Sequence, residues 1–309
     1  MKEDEPMFDR TRDYMKKLGL PTQDAWDLPT SDLRFPDGAS FRIEVPTINT
    51  AAAMKALLEE ADKYGVVINR VDETYGIFRH TTQELKEYVA IAKDWGVELN
   101  LSVGPRATYD TGATVLSPQG VRISYRLRGM EQVVRAVEDV KRVVDLGCRG
   151  ILVYDEGLLW VLAQMKKDGE LPTDVHLKVS AHCGHCNPAS FKVLEMLGAD
   201  SINPVRDLQL PMIAALRQAT KLPIDCHTDN PPGSGGFIRT YEAPEMVRIA
   251  APIHLKSGNS VVSGHGQLTS AEDGRRMAHQ AAIVVETVNK YYPEAVQSKR
   301  GTPDMAVPV

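Results

Sequence analysis

At 309 residues, 43% hydrophobic and 25% charged, the chain has the composition of a globular protein long enough for one large domain. Its 36 Lys and Arg against 41 Asp and Glu leave a net charge of −5, which excludes the basic footprint of a nucleic-acid or anionic-membrane binder. No apolar run approaches the roughly 20 residues of a transmembrane helix, the acidic Met1–Pro6 start lacks a signal-peptide stretch, and Cys148, Cys183, Cys186 and Cys226 make no disulfide framework, so a cytoplasmic protein is expected.

Residues 1–40 read as an arm outside the main domain. A short helix is predicted over Met7–Lys17, followed by a turn-rich extended stretch from Leu28 to Gly38. With Trp26 and Phe35, this arm either closes the bottom of the domain or packs on a second copy of the chain, and a homo-oligomer is expected.

From residue 41 to 290, β-branched runs alternate with helix-patterned segments. The runs are Phe41–Ile48, Val66–Glu73, Val97–Val103, Gly150–Glu156, Val175–His182, Ala199–Val205, Leu222–Asp229 and Pro252–Asn259. Segments such as Ala51–Tyr64, Thr82–Trp95 and Ala271–Lys290 carry apolar residues at helical spacing. Eight such alternations predict an α/β fold, a single (β/α)8 TIM barrel with an N-terminal extension. Residues 291–309 form a Pro-containing tail, loose or docked. Barrels of this kind carry their chemistry at the C-terminal ends of the strands. Two connections stand out there: the long one over 104–126, expected to be a lid or a subunit contact, and the Gly- and Pro-rich 229–239.

Side chains alternate along a strand, so the apolar positions that suit the helix layer leave the others facing inward. This parity turns Arg42 and Glu44 inward from the first run, and Glu98, Asn100 and Ser102 from the third. The fifth gives His176, Lys178, Ser180 and His182, the seventh Asp225, His227 and Asp229, and the eighth His254 and Lys256. The second, fourth and sixth supply Asn69, Asp72 or Glu73, Tyr154, Glu156 and Asn203. Such an interior is charged over much of its height, and buried charge costs several kcal/mol per ion unless paired. Arg42–Glu44 and Lys178–Glu98 are the expected structural pairs.

Three local patterns carry the candidate chemistry. In Ser180-Ala-His-Cys-Gly-His-Cys-Asn187, His182 is a candidate metal ligand and Cys186 a candidate reactive thiol, while Asn187 followed by Pro188 reads as a helix cap. In Asp225-Cys-His-Thr-Asp229, carboxylates and imidazole converge either on a cation or as a hydrogen-bonded acid–base pair. In Lys256-Ser-Gly-Asn259, Lys256 is a candidate anion anchor or Schiff-base lysine, with Asn259 beside it. Arg106, Arg239 and Asn203 are further candidate contacts for a substrate anion.

The stretch Gly147-Cys-Arg-Gly-Ile-Leu-Val-Tyr-Asp-Glu-Gly-Leu-Leu-Trp160, then His176-Leu-Lys-Val-Ser180 with Asn187, then Leu194-Glu-Met-Leu-Gly198 and Arg206-Asp-Leu-Gln-Leu210, resembles the collagenase-like peptidase family (peptidase family U-thirty-two). The resemblance spans roughly residues 145–215 and implies a barrel enzyme of hydrolase or lyase type. It also implies a non-catalytic accessory subunit as an alternative, since some members of that family act in this way. The family's iron–sulfur cysteine cluster has no counterpart here. Cys226-His-Thr-Asp-Asn230 with Gly233 is also similar to the metal-binding strand of lyases around hydroxymethylglutaryl-CoA lyase.

The function expected from all this is cleavage of an amide-like or C–C bond in a small polar anion, with a divalent metal as cofactor. His182, His227, Asp229 and Glu44 are the expected ligands. His227, Asp229, His182, Glu156 and Lys256 are the expected catalytic groups, with a metal-free Schiff-base aldolase as the alternative.

Overall fold

A computed structural model describes residues 8–104 and 125–309. Residues 105–124 of the connection expected to be a lid or a subunit contact, and with them Arg106, lie outside the described residues. Strands β1 (Phe41–Val45), β2 (Arg70–Asp72), β3 (Glu98–Ser102), β4 (Gly150–Val153), β5 (His176–Val179), β6 (Ser201–Ile202) and β7 (Ile224–His227) are short. A two-stranded antiparallel excursion, β8 (Asp229–Asn230) with β9 (Phe237–Ile238), precedes the last barrel strand β10 (Ile253–Lys256). The eight parallel strands close in the order β1-β10-β7-β6-β5-β4-β3-β2, the (β/α)8 barrel read from the sequence.

Helix α1 (Asp9–Lys17) belongs to the arm. The outer layer is α2 (Ala51–Lys63), α3 (Thr82–Trp95), α4 (Gly129–Asp145), α5 (Glu156–Lys167), α6 (Pro188–Leu197), α7 (Leu210–Ala219), α8 (Ala243–Ala250) and α9 (Ala271–Tyr291). Local chemistry sets several helix starts. Thr81 with Glu84, and Ser270 with Asp273, form capping boxes, each satisfying amide donors that the first turn leaves open. Asn187 caps α6 with Pro188 behind it, as its sequence predicts. Among the described residues, no helix is long and apolar enough to cross a membrane.

The strands' outward positions, among them Ile43, Val45, Leu99, Leu101, Ile151, Leu177, Ile224 and Leu255, are buried against the helices and form the main core. The barrel bottom is closed by the two terminal segments. Phe35 of the arm is buried with its ring edge on His254 at 5.2 Å and the Arg42 guanidinium over its face at 4.0 Å. Trp26 does not share that role and is 69% exposed. The tail is docked: Gln297 bridges to Phe41, and Asp304 takes an ion pair from Arg42 at 2.7 Å. Arg42 therefore pairs with the tail and not with Glu44, because its position at the start of β1 points it at the floor.

Gly150 shows how closely adjacent strands approach. A Cβ there would lie 2.4 Å from the Leu99 carbonyl oxygen and 2.4 Å from the Asn100 side-chain oxygen. Since the Leu99 oxygen belongs to the sheet backbone, relief requires β3 and β4 to part. Gly150→Ala is expected to lower stability by about 1–3 kcal/mol, read from urea unfolding midpoints; an unchanged midpoint would show that the strands yield freely.

Candidate active site

Six strands deliver the charges of the middle layer. Lys178 from β5 and Lys256 from β10 both pair with Glu44 of β1, and both reach Asp72 of β2, at 2.9 and 2.7 Å. Arg70, also on β2, spans Glu44 at 3.2 Å, Asp225 at 3.1 Å and Glu98 at 2.6 Å. Every one of these side chains is buried. The expected Lys178–Glu98 pair is thus replaced: Lys178 is taken by Glu44, Asp72 and Asp225, and Glu98 by Arg70. Arg70 escapes the sequence parity because Asn69, read as inward, instead accepts the Ile43 amide and donates to the Ser298 carbonyl at the rim of the floor. Glu73 is likewise outside this set, capping Gly76 and meeting His80 and Ser102.

The electrostatics divide the acids. Burial pushes the Glu44 carboxyl up to about 7, with Asp72 adding to the rise and the two lysines opposing it. Burial acts in the same direction on Asp72, but Lys178 and Lys256 outweigh it and hold that carboxyl well below its usual range, helped by a hydrogen bond from Glu44. Asp225 is also held down: burial opposes, while Lys178, Arg70 and His254 prevail. Below about pH 7, where Glu44 keeps its proton, Asp72, Asp225 and Glu98 balance Lys178, Lys256 and Arg70. The lumen is then neutral without any further ion.

Above this layer the mouth is aromatic. Tyr125 stacks on His182 with centroids 4.1 Å apart and on Tyr154 at 5.1 Å. His265 stands against His182 at 4.3 Å and receives or gives a 2.8 Å hydrogen bond at the Tyr125 hydroxyl. Arg206, in the loop after β6, places its guanidinium 3.0 Å from Nε2 of His182. Since guanidinium only donates, His182 carries its proton on Nδ1. His227 lines a crevice with Arg206 and pairs in register with Lys256. Burial, then Lys256 and Arg206, hold this imidazole well below its usual range, so it is neutral, and its Nδ1 has no hydrogen-bond partner among the described residues.

The remaining predicted site residues lie elsewhere. Both carboxylate oxygens of Asp229 accept loop amides, from Gly258 at 2.8 Å and Ser260 at 2.6 Å, so Asp229 fastens the loop after β10 and is not placed as a ligand. Glu156 starts α5 outside the lumen, bound by His185 and Arg126; burial opposes its ionisation, but His185 and Arg126 hold it down to about 2. Arg239 is consumed by Glu242 and the Leu208 carbonyl. Asn203 braces the Asp225 carbonyl, and Asn259 bridges Asn230 and Thr47. Burial pushes the Cys183 thiol up, whereas Cys186 is exposed. Tyr125, Arg206 and His265 were missed as site residues. The only signals were a basic residue just past the sixth run, a glycine-flanked histidine after the eighth, and a tyrosine at the end of the long connection.

The four expected metal ligands do not assemble. Among the described residues, three ligand atoms converge within 4.8 Å at Glu44, Asp225 and His254. That group can offer a carboxylate–imidazole set to a metal, but Arg70 and Lys178 already stand between its carboxylates. A divalent ion there would face two fixed cations, and one at His182 would face Arg206, so these residues fit a metal poorly.

No protein-family model matches the sequence, and no curated protein matches it. Solved structures of similar shape include a U32 peptidase at 19% identity and TM-score 0.41, covering 66% of this chain and 74% of that one. A structure described as native KDPGal aligns at 12% identity and TM-score 0.47, over 84% and 98% of the two chains. Porphobilinogen synthase from Toxoplasma gondii aligns at 12% and 0.45, over 90% and 91%. At these scores they carry no argument about the reaction, and the barrel rests on its own strand pairing.

A carboxyl raised from 4.5 to about 7 on folding makes the native state the stronger proton binder. Its contribution favours the fold below pH 4.5 and is lost as pH rises through 7. Glu44→Gln is therefore expected to remove a stability loss that the wild type shows between pH 5 and pH 8. Parallel thermal melts of the two proteins across that window provide the measurement; identical slopes would place the Glu44 titration elsewhere.

Proposed function

We propose that this protein is a barrel enzyme that cleaves an amide-like or C–C bond of a small polar anion by metal-independent proton transfer. The observation that carries the reading is Arg206. Its side chain is half-buried with Nε fully enclosed, and among the described residues Nε has no hydrogen-bond partner and no carboxylate lies within 4 Å of the guanidinium. Burial lowers its pKa without removing its charge at neutral pH. A cation partly withdrawn from water without a counter-charge is unfavourable until an anion pairs with it, and a substrate carboxylate or phosphate supplies that partner. The anchoring role read for Lys256 passes to Arg206, because Lys256 is already held by Glu44 and Asp72.

In this reading the substrate's anion sits on Arg206, with Tyr125, His182 and His265 walling it off from solvent. His227, a neutral imidazole with an open nitrogen, takes a proton from the reacting group. Glu44, poised near neutrality, and Lys256 beside it return one to the leaving group. A second reading, a Schiff base on Lys256, is favoured by one feature: two ammonium groups crowd the same pair of carboxylates.

Arg206→Met tests the main reading without a known substrate. The unliganded variant is expected to be more stable than wild type by about 1 kcal/mol, since an unpaired, partly buried charge is removed. A panel of 2-oxo acids, small amides of dicarboxylates and sugar phosphates should raise the wild-type melting temperature for at least one member and leave the variant unmoved. Equal shifts in both proteins would overturn the anchor. Metal analysis of the purified protein is expected to show no stoichiometric transition metal; one equivalent that survives dialysis would restore metal chemistry. Borohydride reduction with the 2-oxo acids, followed by peptide mass analysis, should leave Lys256 unmodified, and a reduced adduct there would replace proton transfer by the Schiff base.

A further inference from the structure

The opposite end of the barrel holds a cavity of about 410 Å³ that the proposed reaction does not use. It lies between Phe35 of the arm, the first residues of the strands and the docked tail. Its volume falls in the range of small-molecule sites, about 300–1,000 Å³.

The charges of its wall do not cancel. Each lining carboxylate already has a cation: Glu98 has Arg70 at 2.6 Å, Asp200 has Lys166 at 3.2 Å, and Asp304 has Arg42 at 2.7 Å. Two lining cations are left over. Arg34 touches only the backbone carbonyls of Ser31 and Leu33, and Lys221 has no ion-pair or hydrogen-bond partner among the described residues. Both are exposed at the rim, where an entering anion meets them first.

Deeper in, His254 is fully buried and faces the cavity. Its Nδ1 stands 2.8 Å from the Asp225 carboxylate, a contact that favours the proton on that nitrogen although the two groups do not line up as a hydrogen bond. Among the described residues neither ring nitrogen has a hydrogen-bond partner, and Nε2 is the one turned away from Asp225, left to accept. A buried acceptor left without a partner is destabilising, and a ligand hydroxyl relieves it.

We propose that the barrel floor is a second ligand site, for a small organic anion that also carries a hydroxyl group. Arg34 and Lys221 take its carboxylate or phosphate charge, and the hydroxyl donates to Nε2 of His254. This site is independent of the mouth and stands whether or not Arg206 anchors a substrate.

Calorimetric titration of the full chain with citrate, tricarballylate and glycerol 3-phosphate tests it. Tricarballylate has the charges of citrate without the hydroxyl. Citrate or glycerol 3-phosphate is expected to bind, and the tighter of the two identifies the anionic group as carboxylate or phosphate. Tricarballylate should bind at least about tenfold more weakly than citrate if citrate is the tighter ligand. Arg34→Met with Lys221→Met, both on the surface, should weaken binding by about tenfold or more, while Arg206→Met leaves it unchanged. Failure of both hydroxylated anions to bind at about 10 mM overturns the site, as does full affinity in the double variant. Loss of binding in Arg206→Met instead would move it to the mouth.

Discussion

Two lysines pressed against one pair of carboxylates decide what this barrel can be. Lys178 and Lys256 enter from strands on different sides of the lumen and meet Glu44 and Asp72, with Arg70 tying in Asp225 and Glu98. A barrel of this size ordinarily fills its interior with Val, Ile and Leu in layers. Here the filling is ionic, and its stability depends on completeness: removing one partner strands another charge at about 3–5 kcal/mol. The same completeness leaves little call for an added cation, which is why the metal reading weakens at the point where the carboxylates are densest.

The mouth obeys a different logic. Tyr125, Tyr154, His182 and His265 form one aromatic group, and Arg206 stands beside it on His182. An apolar, hydrogen-bonding rim above a balanced ionic base gives a site in which an incoming anion changes the local charge more than anything else present. In a low-dielectric surrounding that interaction is worth several times its value in water.

The strands and the barrel were legible because both signals are local: β-branched runs of four to eight residues, and a period of two that sorts inward from outward. Glu44, Asn100, Lys178, Asp225, His254 and Lys256 follow directly from that period. Their partners do not, because which inward residue meets which depends on the stagger of eight strands around the closure. The second run failed for a related reason: Val66–Glu73 holds only three strand residues, so its parity had no long apolar pattern to fix it. At strand ends the period lapses altogether. Asp229, Arg239 and Asn259 looked like site residues and became loop fasteners, while Arg206 and His265, on irregular backbone, carried no periodic mark. The floor was illegible since Arg42 finds Asp304 across 262 positions of sequence.

The ionic filling is also unevenly divided along the chain. With Glu44 protonated, the first four barrel strands contribute Asp72 and Glu98 against Arg70, whereas the last four contribute Lys178 and Lys256 against Asp225. Each half-barrel is therefore electrically lopsided, one acidic and the other basic along the surface it must bury. Neither half can dehydrate its inner face alone, but each is the counterion of the other. The seam between them is thus self-selecting: a half-barrel pairing with a copy of itself would bring like charges together, and only the correct complement closes to a neutral interior.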